Sequence, residues 1–163
     1  QSGWWYSAML PDNRMVMALM TDADIAHQHH SQKSDIWLQT MQGTTHTKQR
    51  FELTQINPTS NETPTVIAAH SQCLDKLAGA GWLAVGDAAL TYDPLSSLGI
   101  FKALRMGTYA SYAIADSFKG IDQSLNKYQH VARSEYQGYL AKRREYYQQE
   151  QRFSEALFWA RRR

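Results

Sequence analysis

The hydrophobic and polar positions near the start of the chain predict a β-hairpin. Successive side chains along WWYSAM would point to opposite faces of a strand, and a second apolar run extends from Met15 to Met20. Between them, Pro11, Asp12 and Asn13 supply residues that favour a turn. Alternation with a period of two is typical of a strand with one buried face. We therefore expect two antiparallel strands joined at residues 11–13.

The middle of the chain is predicted to hold a short helix, a polar loop and a buried strand. KSDIWLQTMQ is amphipathic and ends before Gly43. Residues 44–65 are polar and contain two prolines, so we expect a loop with at most one edge strand, at QRFELTQI. WLAVG is short, apolar on both faces and bounded by glycine, which favours a central strand that ends in Gly86-Asp87.

Two long helices are predicted in the second half of the chain. The first extends from about Ser97 to Phe118. The apolar side chains expected on its inner face are Ile100, Leu104, Tyr109, Tyr112 and Ile114. After Gly120, apolar residues recur mostly at three- and four-residue steps, which predicts one long helix, or two joined by a bend near Gly138. The elements together indicate an α+β fold with antiparallel strands, a central strand and long C-terminal helices.

The composition is that of an ordinary globular chain. Of its 163 residues, 43% are hydrophobic and 20% charged. No apolar run approaches the roughly 20 residues that a membrane-spanning helix needs, so no membrane partner is expected. A single cysteine, Cys73, excludes an internal disulfide, and a buried structural role is favoured over a catalytic thiol. This usage fits a reducing compartment, and we expect a cytoplasmic location.

The charges are unevenly distributed along the chain. Residues 119–163 contain ten Lys or Arg and five Asp or Glu. The basic clusters at 142–144 and 161–163 are expected to form a solvated helix face or to dock an acidic partner protein. A nucleic-acid partner is not expected, because the tyrosines recur at the spacing of one packed helix face and not as an exposed surface on which bases could stack.

The histidines and the N-terminal aromatic residues were considered as site residues. His27, His29 and His30 have no carboxylate or cysteine to complete a metal site, so no metal is expected. The lone residues His46 and His70 are more often structural than catalytic in such settings. Of the adjacent Trp4 and Trp5, one is expected in the core, and the other could face a substrate.

The stretch AVGDAALTYDPLSSLGI carries the clearest chemical signal. Gly86 would let a ligand approach the backbone, and Asp87 would extend from the strand end as an acceptor for ligand hydroxyls. The segment PLSSLG opens a helix, where unpaired N–H groups and the helix dipole favour an electron-rich ligand edge. The stretch therefore predicts a site for a hydroxyl-rich cofactor whose reactive ring accumulates negative charge.

The same stretch resembles a known family. GDAA, then Asp-Pro, then Gly-Ile opening a helix, is similar to the second cofactor motif of FAD-dependent monooxygenases with the p-hydroxybenzoate hydroxylase type of fold, within the branch that contains the tryptophan halogenases. GWWYSAMLPDNRMVMALMTDAD and GWLAVGDAALTYDPLSSLGIFKAL together look most like the flavoprotein monooxygenases that mature quinone-cofactor amine oxidases by oxidising a tryptophan of a partner protein.

The resemblance implies FAD as the cofactor and a set of residues that bind it. Asp87 would bind the ribityl chain, and Pro94 would lie beside the flavin ring. Backbone amides near Gly99 and Ile100 would face the pyrimidine edge. The full implied set is Gly86, Asp87, Pro94, Ser97, Leu98, Gly99 and Ile100. No catalytic residue is assigned.

The resemblance also implies an organisation and an activity. Residues 1–70 would belong to the antiparallel sheet of a substrate domain, 71–118 to the end of the FAD-binding domain, and 119–163 to a helical region. The intact enzyme would be α/β and would hydroxylate an aromatic group, an indole or tryptophan, free or in a protein.

Two departures from the family pattern limit this assignment. Halogenases carry a catalytic glutamate in PLES, where this chain has Ser96, so halogenase or reductase activity is the alternative. The N-terminal half with the Gly-x-Gly-x-x-Gly loop is absent, so the chain is expected to be the C-terminal part of a larger enzyme and inactive alone. A non-catalytic protein-interaction fragment is the further alternative.

Overall fold

The computed structural model describes residues 1–54, 63–121 and 123–163. The helices are α1 (Ala23–Gln28), α2 (Ser34–Gln42), α3 (His46–Glu52), α4 (Gly99–Phe118), α5 (Ser124–Gln149) and α6 (Leu157–Ala160). The strands are β1 (Trp4–Met9), β2 (Met15–Met20), β3 (Gln72–Cys73), β4 (Ala78–Gly79), β5 (Trp82–Leu83) and β6 (Leu90–Thr91). The chain divides into two compact units, one of Gln1–Ile67 with Glu150–Arg163 and one of Ala68–Gln149.

The first unit begins with the predicted hairpin, which the structure confirms. Strands β1 and β2 pair antiparallel, with Trp4 opposite Met20 and Met9 opposite Met15. Asn13 adopts a left-handed conformation with φ 59°, which asparagine tolerates better than most residues. The ring of Trp5 packs edge-on against Trp37 of α2, with centroids 5.0 Å apart. Trp5 is therefore part of the packing of this unit.

Helix α2 confirms the predicted amphipathic helix, but the predicted edge strand at residues 49–56 is wrong where it is described. Residues 49–52 belong to α3, and residues 55–56 lie outside the described residues. The hydroxyl of Thr44 accepts a hydrogen bond from the amide of Lys48, and Lys48 pairs with Glu52 at 3.7 Å. These local contacts stabilise a helical turn that the polar composition did not reveal.

The C-terminal segment of the first unit is bound to the start of α1 by ion pairs. Arg161 donates to Asp22 and Asp24, each at 2.9 Å, and Arg162 also donates to Asp22. The hydrogen bond from Arg161 lowers the pKa of Asp24 to about 2. At Asp22, partial burial by itself would raise the pKa of the carboxyl. The hydrogen bonds from Arg162 and Arg161 outweigh it, so the pKa of Asp22 is lowered. These two terminal arginines are therefore paired, in contrast to the predicted solvated face.

The second unit contains two pairs of short strands packed on two long helices. Strand β3 pairs antiparallel with β6, and β4 pairs antiparallel with β5. Its core contains side chains from the strands and from both helices: Leu77, Ala78, Ala89, Leu90, Met106, Ala110, Ala113, Tyr128, Ala132, Tyr136 and Tyr139. The predicted strand at 82–86 is present only as β5, and residues 86–88 form a 3₁₀ turn. A central position in a larger sheet stays a prediction.

Helix α4 has nearly the predicted length but buries a different face. The buried residues of α4 are Lys102, Met106, Ala110 and Ala113. Ile100 and Leu104, expected inside, are 81% and 68% exposed. The prediction was wrong because the helix carries two apolar stripes, and only the contacts of this unit select the one that faces its core. Helix α5 is continuous through Gly138, as the alternative of one long helix predicted, but it ends at Gln149, and Leu157 of the same predicted segment belongs to α6.

The described elements mix helices with small antiparallel sheets, compatible with the predicted α+β class. None of the helices that the described residues form combines the length and apolarity that crossing a bilayer requires. The functional assignment of residues 1–70, 71–118 and 119–163 stays a prediction.

Candidate functional site

The predicted cofactor-binding residues lie in two neighbouring segments of the second unit. Gly86 and Asp87 belong to the 3₁₀ turn after β5, and residues 94–100 lead from a second 3₁₀ turn into α4. Gly86 is buried with φ +64°, a conformation that favours glycine, and a Cβ there would lie 3.6 Å from the Cβ of Ala103. The other predicted site residues are exposed: Asp87, Pro94, Ser97, Leu98, Gly99 and Ile100.

Lys102 connects the two segments. Its ammonium donates to the carboxylate Oδ1 of Asp87 at 2.5 Å and to the carbonyl oxygen of Leu90 at 2.6 Å. The side chain of Lys102 is 2% exposed, whereas that of Asp87 is 78% exposed. The pair therefore consists of a buried cation and a solvent-facing anion, and the carboxylate stays available on its outer side.

The turn of Pro94–Ser96 is held by Asp93 from within. Oδ1 of Asp93 accepts a hydrogen bond from the amide of Leu95 at 3.0 Å, and its main-chain oxygen accepts from the Ser96 hydroxyl at 2.9 Å. Asp93 is 7% exposed. Its side chain is thus the N-cap of this turn.

Helix α5 supplies the other partners of Asp93. Arg143 Nε and the Tyr147 hydroxyl donate to Oδ2 of Asp93 at 3.0 and 2.8 Å. The Tyr139 hydroxyl accepts from the amide of Asp93 at 2.6 Å and shares a short hydrogen bond with Ser71. Arg143 is therefore part of a largely buried network, a correction to the predicted solvated basic face at 142–144.

Aromatic rings fill the space between the turn and α5. The rings of Tyr92 and Tyr139 stack with centroids 3.9 Å apart and an interplanar angle of 9°. Lys102 lies over the ring of Tyr92, 5.1 Å from its centroid. Burial raises the pKa of Tyr92 to about 12, so the phenol stays protonated at neutral pH.

A groove of about 260 Å³ lies beside these rings. The residues that line it are Tyr92, Leu98, Phe101, Lys102, Arg105, Glu135, Gly138, Tyr139 and Lys142. Among the predicted site residues, Leu98 alone lines it, and Asp87 does not. The groove therefore lies next to the predicted ligand site, but the two are not the same place.

The start of α4 is open to solvent and has no side-chain cap. The N-cap residue, Leu98, makes no capping hydrogen bond, and Ser97 before it is left-handed with φ 53°. The amide of Lys102 donates to Leu98 oxygen at 2.8 Å, so the amides of Gly99, Ile100 and Phe101 lie in the turn that a helix leaves without internal partners. No atom lies within 4 Å of a Cβ built at Gly99.

The geometry can therefore bind two kinds of ligand group. An exposed carboxylate accepts hydrogen bonds from hydroxyls, and free amides at the positive end of a 20-residue helix donate to an electron-rich edge. Lys102 fixes the first group relative to the helix that carries the second.

The remaining candidates take no part in this arrangement. His27, His29 and His30 are exposed in the first unit, and His70 bonds Gln72 at 2.9 Å. Within the described ranges, no group of three or more His, Cys, Asp or Glu side chains is arranged to hold a metal ion.

Sequence reasoning missed Lys102 and the α5 residues that bind Asp93. One signal for Lys102 was a lone cation in the apolar stretch GIFKAL, three residues after Gly99. The signal on α5 was the four-residue spacing of Tyr139, Arg143 and Tyr147, which places the three on one helix face. Their partner, Asp93, lies about 50 residues away in sequence, so no local pattern could identify it.

Comparison with known proteins shows one curated relative and one solved structure. The chain is 35% identical over 161 residues to a protein of Marinomonas mediterranea named "Putative FAD-dependent oxidoreductase LodB", a match that covers 98% of this chain and 42% of LodB. The structure matches that of "Peptidyl tryptophan dihydroxylase QhpG essential for tryptophylquinone cofactor biogenesis" with a TM-score of 0.85 and 23% identity. It covers 99% of this chain and 37% of QhpG. No family model matches the chain.

The similarity to LodB supports the predicted relationship to FAD-dependent oxidoreductases. At 23% identity, the likeness to QhpG establishes the fold of the matched region. The chain spans less than half the length of either protein. The chain therefore has a fold shared with part of QhpG and a sequence similar to part of LodB.

Proposed function

We propose that this chain is the C-terminal part of an FAD-dependent monooxygenase that hydroxylates an aromatic group. Similarity to LodB, whose name includes FAD-dependent oxidoreductase, extends over nearly the whole chain and supports FAD as the cofactor. The fold shared with part of QhpG supports the same assignment. The intact enzyme, in this proposal, has the p-hydroxybenzoate hydroxylase type of fold and belongs to the branch that contains the tryptophan halogenases.

The observation that carries the proposal is the position of Asp87 relative to α4. An exposed carboxylate is tied, through one buried ammonium, to a helix whose first amides are open to solvent. The described residues fit the polyol chain and the ring edge of FAD in the chemistry of their donors and acceptors. They contain no Gly-x-Gly-x-x-Gly sequence for the pyrophosphate, so that part of the cofactor would need protein outside these 163 residues.

Each residue of the site would have a simple task. Asp87 would accept hydrogen bonds from ribityl hydroxyls, and Gly86 would allow close approach of the backbone. The amides of Gly99 and Ile100 would donate to the pyrimidine edge, while Pro94 would pack beside the ring with Ser97 and Leu98. Bound FAD would supply the redox chemistry that activates O2 for oxygen transfer to the aromatic ring.

The proposed substrate is an indole, and a tryptophan carried by a partner protein in particular. This follows from the family resemblance and from the name of QhpG, which describes a peptidyl tryptophan dihydroxylase. An aromatic small molecule is the alternative substrate.

Oxygenation is favoured over halogenation because of the contacts of Ser96. Its hydroxyl donates to Asp93 oxygen at 2.9 Å and accepts from the amide of Leu98 at 3.3 Å, so it stabilises the turn. No acid occupies this position. A non-catalytic interaction role would be favoured if the intact protein bound no flavin.

Substitution of Asp87 tests the cofactor site. In the intact protein, we expect Asp87→Ala to weaken FAD binding by about 10-fold or more, because a hydrogen-bonding charged group contributes about 1.5–3 kcal/mol. Flavin occupancy after gel filtration measures the effect. A matched control is Asp116→Ala, at the opposite end of α4, where the acid pairs with exposed Lys119. Full flavin occupancy in Asp87→Ala would contradict the assignment.

Product mass tests the reaction. Tryptophan-bearing peptides or proteins are incubated with the reduced holoenzyme and O2, with and without chloride or bromide. We expect an addition of oxygen that does not depend on halide. Incorporation of chlorine or bromine would instead identify a halogenase, and an unchanged mass with flavin oxidation would identify a reductase or oxidase.

A further inference from the structure

Lys102 occupies an unfavourable position for a cation. Its side chain is 2% exposed, and it lies at the fourth residue of α4, where the helix dipole is positive. Burial of an unpaired ammonium costs several kcal/mol, so its charge requires compensation. The other buried residues of this helix are Met106, Ala110 and Ala113. A methionine would fill the same space without that cost, which indicates that the ammonium has a task beyond packing.

The contacts of Lys102 join three elements around the proposed site. The ammonium binds Asp87 in the 3₁₀ turn and the carbonyl oxygen of Leu90 in β6, and it belongs itself to α4. It also lies over the ring of Tyr92, where a cation is favoured electrostatically. Lys102 therefore connects the acid, β6 and the first turn of α4 through one side chain.

The pair is asymmetric in a way that suits ligand binding. Lys102 donates to Oδ1 of Asp87, while Oδ2 has no hydrogen-bond partner among the described residues. Because the carboxylate is 78% exposed, its outer oxygen can accept a hydrogen bond from a ligand without breaking the bond to Lys102.

We propose that Lys102 is a positioning residue that holds the Asp87 carboxylate toward the ribityl hydroxyls of FAD. It acts through Asp87 and does not itself contact the cofactor. The proposal rests on the proposed function, since it requires Asp87 to bind FAD.

The test is a double-mutant cycle in the intact protein. Apoprotein is titrated with FAD, and the dissociation constant is measured from flavin fluorescence for the parent, Lys102→Met, Asp87→Ala and the double variant. We expect Lys102→Met to weaken binding by about 10-fold, and the double variant to bind no more than about 3-fold more weakly than Asp87→Ala. Such coupling is expected only if Lys102 acts through Asp87.

A control separates positioning from stability. Met106→Ala changes a buried, uncharged residue one turn further along α4, which is 1% exposed. We expect it to lower the melting temperature but to leave the FAD dissociation constant within about 2-fold of the parent, since cavity formation affects packing. If Lys102→Met does not fold, Lys102→Gln takes its place in the same cycle. Because its amide keeps a donor, we expect a smaller loss of FAD affinity than for Lys102→Met, and again no further loss when it is combined with Asp87→Ala.

The outcomes distinguish the two proposals. An unchanged dissociation constant for the Lys102 variant, or losses that multiply in the double variant, would overturn the positioning role while leaving Asp87 as a ligand. Normal FAD binding by Asp87→Ala would overturn both.

Discussion

Asp87 and Asp93 lie six residues apart and both pair with a cation, yet their surroundings are opposite. The side chain of Asp87 is 78% exposed, and its partner Lys102 is buried. The side chain of Asp93 is 9% exposed, and its partner Arg143 is 24% exposed. Asp93 also accepts from Tyr147 and from the amide of Leu95. One carboxylate is thus open with one protein donor, and the other is enclosed by three.

This difference separates a ligand-binding acid from a structural one. Protein donors occupy both oxygens of Asp93, so a ligand hydroxyl would have to displace one of them. Asp87 has an outer oxygen that faces solvent. Two acids in the same motif can therefore have different tasks because of how many donors the fold directs at each one.

The largest effect is expected from Asp93→Asn. Neutralising a buried carboxylate leaves Arg143 without its anion, and breaking such a pair costs about 3–5 kcal/mol. Hydrogen exchange of residues 93–98 in the intact protein measures the loss as a lower free energy of local opening. Asp116→Asn, in an exposed pair with Lys119, is the control and should stay within about 0.5 kcal/mol. Equal effects of the two variants would remove the distinction between the buried and the exposed acid.

A smaller effect is expected from Tyr147→Phe. The ring is retained, but the hydroxyl that donates to Asp93 is lost, and a hydrogen bond to a charged group contributes about 1.5–3 kcal/mol. The same exchange measurement reports it. Tyr146→Phe removes a hydroxyl from the adjacent ring, which is 44% exposed, and should leave exchange at residues 93–98 unchanged. If both variants lowered the free energy of local opening at residues 93–98, the cause would be a general destabilisation of α5 and not the loss of the hydrogen bond to Asp93.

The smallest effect on stability is expected from Asp87→Asn. The amide oxygen can still accept from Lys102, and the buried ammonium keeps the carbonyl oxygen of Leu90 and the ring of Tyr92. Because Lys102 nevertheless loses its anion, the loss should be about 1 kcal/mol, above that of an exposed ion pair but below that of Asp93→Asn. Thermal unfolding of the apoprotein measures it. A loss as large as that of Asp93→Asn would show that Asp87 is structural too, and would sharply weaken the case for a ligand role.

Local patterns predicted the elements better than their environment. The hairpin of β1 and β2 followed from alternation and turn residues, and α2 followed from its amphipathic period and Gly43. The edge strand predicted at 49–56 was wrong for the described residues 49–54, because the hydroxyl of Thr44 and the Lys48–Glu52 pair favour a helix there. The prediction for the inner face of α4 was wrong because two apolar stripes were available.

The sequence by itself determined the positions of Gly86, Asp87 and the start of α4, because glycine conformation and helix termini depend on neighbouring residues. Only the tertiary structure decided which acid is open and which is enclosed. The donors to Asp93 come from α5, about 50 residues away, and the cation beside Asp87 comes from 15 residues further along. Burial and hydrogen bonding of a carboxylate depend on what packs around it, and that packing is decided by contacts distant in sequence.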